Sequence, residues 1–186
     1  RMHAIFAGAM IAGSVVLGAG AAQAEWPERP IRIVVPFAPG GITDTTSRIV
    51  AEEMSRTLGQ SVLIDNRGGG GGTVGTEQVA RAKPDGYMMI YGTQGTMAAN
   101  VTLRKNLSYD PLTSFMPVHL VGESPNLFVA YHEAPYNSVP EFIAYAKQNP
   151  GKVTFSSSGV GTATHLVAEL FKTVTGIEMQ HVPYRG

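Results

Sequence analysis

Between residues 31 and 91, short apolar runs alternate with segments of helical period, and few folds accommodate that order. Ile31-Arg32-Ile33-Val34-Val35 is a β-branched run. Thr43 to Leu58 then reads as a helix, with Val50, Met54 and Leu58 on one face, Ala51 beside them and Glu52 and Arg56 spaced to pair outside. Gly59 is a natural stop for that helix. Ser61 to Asp65 gives a second strand, a glycine run from Gly68 to Gly72 follows, and Thr73 to Ala82 reads as a second helix. Lys83-Pro84-Asp85-Gly86 has the chemistry of a turn, and Tyr87 to Tyr91 is a third strand. Strand, helix, strand, helix, strand with short connections requires a mostly parallel sheet covered by helices, an α/β architecture.

The pattern changes after Tyr109-Asp110-Pro111. Pro117 to Val121 and Leu127 to Tyr131 read as two strands, which suggests a crossing into a second lobe. Ser138-x-x-Glu141 forms a capping box, and Val139, Phe142, Ile143 and Ala146 share a face of the helix it opens. Val153-Thr154-Phe155 is a strand, Ser156 to Gly161 a loop of Ser and Gly, and Thr162 to Thr175 a helix with Leu166, Val167, Leu170, Phe171 and Val174 on its apolar side. Met179 to Gly186 reads as a strand entering a loop, so further chain is expected beyond it. The expected organisation is a first lobe over residues 25–122 and a second, incomplete lobe over 123–186.

Residues 1–24 stand apart. A short basic start, an uncharged run from Ala4 to Ala21 and the small residues of Ala22-Gln23-Ala24 make the order of a cleaved secretory signal peptide. No membrane insertion is expected once it is removed.

Several function classes are disfavoured. Fourteen Lys and Arg stand against 14 Asp and Glu, so there is no basic excess for nucleic acid. With 44% hydrophobic and 15% charged residues, the chain is globular rather than disordered. The lack of Cys removes thiolate metal sites and Cys nucleophiles, and His119, His132, His165 and His181 lack metal-ligand spacing. Ser157 and Ser158 show no base and acid partners in the sequence. Gly70-x-Gly72-x-x-Gly75 matches a dinucleotide fingerprint by spacing, but the acid expected after the next strand is replaced by Tyr91-Gly92-Thr93-Gln94. Neither a cofactor nor a metal is expected.

Two segments share one design. Pro36 to Asp44 and Ser156 to Thr164 each follow a strand, carry glycines and open a helix. The first amides of a helix lack internal partners and sit at the positive end of its dipole, and glycine lets a ligand approach the backbone. Such a loop receives an anion without any Lys or Arg. Thr43, Ser158 and Thr162 add neutral donors, while Asp44 complements the dipole of its helix or acts through a water or on a ligand amine. His165 faces the second loop, and Tyr184 and Arg185 follow the last strand.

The chain resembles the substrate-binding receptors of tripartite tricarboxylate transporters, also called Bug receptors. The resemblance lies in Trp26-Pro27-x-Arg29-Pro30-Ile31, Val35-Pro36-Phe37-Ala38-Pro39-Gly40-Gly41-x-x-Asp44, Pro84-Asp85-Gly86-Tyr87, Tyr109-Asp110-Pro111, Asn149-Pro150-Gly151-Lys152, Gly159-x-Gly161-Thr162-x-x-His165-Leu166 and His181-Val182-Pro183-Tyr184-Arg185-Gly186. It departs from the family pattern at Gly69 and Gly70, Thr162 and Arg185. It implies a two-lobed periplasmic binding protein type II-like fold that closes on a small carboxylate held by loop amides and ordered waters. It also implies members about twice this length, a periplasmic location and membrane transporter subunits as partners. The candidate ligand contacts are Phe37, Ala38, Gly40, Gly41, Thr43 and Asp44, then Thr93 after the third strand, then Ser158, Gly161, Thr162, His165 and Tyr184. A periplasmic sensing module with a signalling partner and an α/β enzyme remain alternative readings.

Overall fold

A computed structural model describes residues 25–185; the expected signal peptide lies outside them. The first sheet has three strands, β1 (Ile31–Val35), β2 (Val62–Asn66) and β3 (Met88–Ile90), in the order β2-β1-β3 and all parallel. Ile33 lies opposite Ile64 on one side and Met89 on the other. The central strand is hydrophobic on both faces, and Ile31, Ile33, Val34 and Val35 are buried, as expected for a parallel strand covered on both sides.

Helix α1 (Ile42–Leu58) joins β1 to β2, and α2 (Thr73–Ala80) joins β2 to β3. The buried stripe of α1 is Asp44, Ser47 and Ala51, while Val50, Met54 and Leu58 are only half-buried. Ser47 and Ser55 fit because their hydroxyls bond back to the carbonyls four residues earlier, at Thr43 and Ala51. The outer ion pair differs from expectation: Arg56 bonds Glu53 rather than Glu52. Both helix spacings sit one turn away, and the i,i+3 partner gives Arg56 two hydrogen bonds. A π-helical turn at Gly95–Ala99 leads into the short α3 (Asn100–Leu103), a segment with no periodic sequence signal.

The second sheet pairs β4 (Val153–Ser157) with β5 (Met179–Pro183) in parallel, and α4 (Val139–Gln148) and α5 (Ala163–Thr175) accompany it. Phe142, Ala146, Ile177 and Met179 form its core, with Tyr136, Ile143, Val153, Phe155 and Phe171 packed around them. The capping box forms at α4: Ser138 accepts from the Glu141 amide at 3.4 Å, while the Glu141 carboxylate turns to the Asn137 amide at 2.8 Å. Val139 stays 44% exposed, and Val167, Leu170 and Val174 of α5 are also exposed, so only part of each apolar face is covered here. Gly59 and Gly176 end α1 and α5 at positive φ, where glycine carries no Cβ penalty.

The two strands expected at Pro117–Val121 and Leu127–Tyr131 are not formed. A strand needs a neighbouring ladder, and no described strand runs beside these residues. Met116, Val118, Leu120, Leu127 and Val129 are each at least 70% exposed. Phe128 meets the second core, with ring centroids 5.0 Å from Phe142 and 5.9 Å from Phe171. The architecture is two parallel α/β sheets joined by a long connection without helix or strand between Leu103 and Val139.

Candidate functional site

Both glycine loops leave the carboxyl end of a strand and enter a helix, where open α/β sheets receive ligands. The first loop is braced from below by Asp44, which is 3% exposed. Its Oδ2 accepts from the Gly40 amide at 2.8 Å and from Arg48 Nε at 3.1 Å, and its Oδ1 from Asn66 Nδ2 at 3.0 Å. Arg48 Nη2 also lies 3.0 Å from Oδ1. These donors, with the Arg48 hydrogen bond largest and the Gly40 amide next, hold the Asp44 carboxyl down at about 2. Asn66 Nδ2 reaches the Phe37 carbonyl as well, at 3.2 Å, which ties strand β2 to the loop. Asp44 is thus spent on its own loop.

That brace leaves the entrance of α1 open. Gly41 is its N-cap at φ −77°, ψ 173°, and no side chain caps the first turn. The Thr43 carbonyl is taken by Ser47. Ala38 donates its amide to the Arg185 carbonyl at 3.2 Å, a backbone bond between the two lobes.

The second loop is knitted to itself. The Ser158 amide donates to Thr164 Oγ1 at 3.2 Å, and the Gly159 amide to Ser157 Oγ at 3.1 Å. The Gly161 amide donates to His165 Nδ1 at 3.3 Å, and Thr162 gives both its amide and its hydroxyl to the Gly159 carbonyl. His165 lies with its ring centroid 4.2 Å from His181, and Phe155 stacks on His181 at 4.8 Å. Burial, then the neighbouring His165, pushes the His181 imidazole below its ordinary value. Ser157 Oγ lies 2.6 Å from His181 Nε2, a contact across the β4–β5 pair that sequence reading missed. Ser157 is itself 7% exposed, and its hydroxyl also holds the Gly159 backbone.

Between the lobes runs a cleft of about 510 Å³, a size ordinary for a small-molecule site. Phe37, Gly68 to Gly72 and Arg104 line one side; Ser158, Gly159, Val160, Pro183, Tyr184 and Arg185 line the other. Of the twelve expected contacts, Phe37, Ser158 and Tyr184 line it, and Ala38 touches it through the bond to Arg185. Gly40, Gly41, Thr43 and Asp44 belong to the same loop as Phe37 but lie outside the lining. Thr93 bonds Thr96 at the entrance of the π-helical turn, and Gly161, Thr162 and His165 serve the inner side of the second loop.

The glycine run and Arg104 were not among the expected contacts. The run is a seam rather than a phosphate cradle: a Cβ on Gly71 would stand 2.2 Å from the Val160 carbonyl oxygen of the other lobe. Gly95 makes the same kind of approach to the Gly161 carbonyl oxygen, at 2.9 Å. The signal was present as five consecutive glycines, more than a turn demands, but not which surface they approach.

The profile of the tripartite tricarboxylate transporter family receptors matches residues 46–186. Protein BugT of Bordetella pertussis is 36% identical over 162 residues, which are 87% of this chain and 50% of BugT. A solved R. palustris protein with adipate is 42% identical with a TM-score of 0.84, over 87% of this chain and 54% of that one. MatC from Rhodopseudomonas palustris with bound malate is 37% identical with a TM-score of 0.82, over 87% of this chain and 55% of that one. The chain spans about half the length of the curated relatives it matches. Among the described residues, no helix is long and apolar enough to cross a membrane.

Proposed function

Because the chain belongs to the family of tripartite tricarboxylate transporter receptors, we propose that it acts as an extracytoplasmic solute-binding receptor for a small carboxylate. The observation that carries this reading is the chemistry of the cleft between the lobes. Its lining is glycine backbone with Phe37, Ser158, Val160, Pro183, Tyr184 and the cationic Arg104 and Arg185, and it holds no Asp or Glu. An anion there meets donors and positive charge without repulsion. The first loop stands at the cleft through Phe37 and Ala38, with the uncapped first turn of α1 a few residues on.

In this reading the ligand lies in the cleft beside Phe37 and Tyr184, and one of its carboxylates reaches past the lining to the α1 amides of Gly41, Ile42 and Thr43. Asp44 holds the loop in shape rather than meeting the ligand. Ser158, Thr162 and His165 keep the opposite loop rigid, so binding closes one lobe on a preformed wall. The solved relatives with adipate and with malate support a carboxylate as ligand. Export through the signal peptide at residues 1–24, a periplasmic location and delivery to membrane transporter subunits complete the proposal.

A thermal-shift screen of the protein at its native length against mono-, di- and tricarboxylates tests it. The expected result is a concentration-dependent rise in melting temperature with at least one carboxylate and none with matched amides. A flat response to every acid would remove the carboxylate reading.

A further inference from the structure

We infer that Arg104 is the specificity-determining residue of this cleft, the group that reads a second negative charge at the far end of the ligand. This role presupposes the carboxylate-receptor reading above. Arg104 follows α3 and lies in the cleft wall of the first lobe. Its Nη2 donates to the Gly70 carbonyl oxygen at 2.5 Å, and its Nε to Asn100 Oδ1 at 3.3 Å. Asn100 is fully buried, and its Oδ1 lies only 3.0 Å from where a Cβ on Gly161 would stand. The anchor is therefore clamped between the lobes.

Both anchors are neutral oxygens. They orient the guanidinium without compensating its charge, and among the described ion pairs Arg104 has no carboxylate partner. A guanidinium has five N–H donors, and the two anchors engage only two of its nitrogens. Its planar fork matches a carboxylate in two parallel bonds, and holding it in place beforehand lowers the ordering cost of binding. Arg185, the other cation of the cleft, differs in this respect. What is fixed there is the backbone, whose carbonyl accepts from Ala38, while the residue is exposed. Phe37 and Val160 put apolar surface into the same lining, which suits a short methylene chain between two acid groups.

The test is calorimetric titration of the protein at its native length with adipate and with hexanoate, which share chain length but differ by one acid group. Wild type is expected to prefer the diacid by about tenfold or more, the scale of one charge-assisted pair. Arg104→Gln, which keeps a donor for Gly70, is expected to lose about tenfold more in adipate affinity than in hexanoate affinity. Arg104→Lys keeps the charge without the fork and is expected to retain part of the preference. Equal losses for both acids would make Arg104 a mere staple of the glycine run and overturn the inference. So would a wild type that binds both acids equally well, which leaves the receptor reading intact. A wild type that binds no carboxylate at all overturns both. Melting temperatures of the two variants within a few degrees of wild type confirm that folding is not what changed.

Discussion

The loops at Pro36–Asp44 and Ser156–Thr164 are built from the same grammar of strand, glycine turn and helix, and both lead into a helix without a side-chain cap, yet they are braced by different groups. In the first, a buried carboxylate reaches up to hold Gly40 and leaves the start of α1 uncapped. In the second, hydroxyls and an imidazole take up the amides of Ser158, Gly159 and Gly161 one by one. A helix entrance is an anion site only when the protein has not already filled it. The lesson is that two loops alike in composition need not be alike in what holds them in shape. Both helix entrances are left without a side-chain cap, but one loop is braced by a single buried carboxylate and the other is stiffened by several bonds of its own.

The largest effect that separates them is expected from Asp44→Ala. It strands the Gly40 and Asn66 donors and the Arg48 charge, and should cost about 3 kcal/mol of unfolding free energy in urea titration. The second loop's hydrogen exchange should stay as in wild type. Next comes Gly71→Val, which forces a side chain against the Val160 carbonyl oxygen at a positive φ. It should cost about 2 kcal/mol and loosen the contact between the lobes while leaving each loop's own bonds in place. His165→Phe keeps the ring against His181 and removes the acceptor for the Gly161 amide. About 1 kcal/mol is expected, with faster exchange confined to the second loop.

The smallest expected effect is also the most selective, because the loops answer to different acidity. His181 is depressed below 6.5 by burial and then by His165, with Glu169 opposing and Lys172 reinforcing the shift. Its contribution is complete above the unfolded imidazole value and is lost as pH falls below it. Asp44 is depressed from 3.8 to about 2, so its contribution is complete above 3.8 and is lost only as pH falls through about 2. Acidification from pH 7 to pH 4.5 should therefore lower the amide protection factors of the second loop, measured against the intrinsic exchange rate at each pH, and leave those of the first unchanged. Loosening of both loops together over that range would contradict the distinction.

Much of the architecture was legible in the sequence, because its signals are local. Ile31–Val35 had the same bounds as a sequence run and as a strand, and Gly59 and Gly176 ended their helices where a left-handed residue was called for. The parallel sheet followed from the alternation alone. The strands expected near Leu120 and Val129 failed because strand formation depends on a partner, and apolar composition carries no information about whether one is alongside. The shape of the cleft was less legible. Arg104 bonds Gly70 across 34 residues, and Gly71 faces Val160 across the lobes, contacts with no signature in spacing. Its place in the first turn of α1 makes Asp44 a dipole complement by sequence, but its grip on Gly40, Arg48 and Asn66 is visible only in three dimensions.

Amide resonances offer the most direct test of the central claim, that an anionic ligand settles between the lobes at the unfilled helix entrance of the first loop. Titration of the isotope-labelled protein at its native length with adipate should shift the amides of Gly41, Ile42 and Thr43 along one saturating curve, with smaller changes at Ser158 and Gly161. If those three amides stay still while the ligand binds, or if the second loop moves more than the first, the account is wrong.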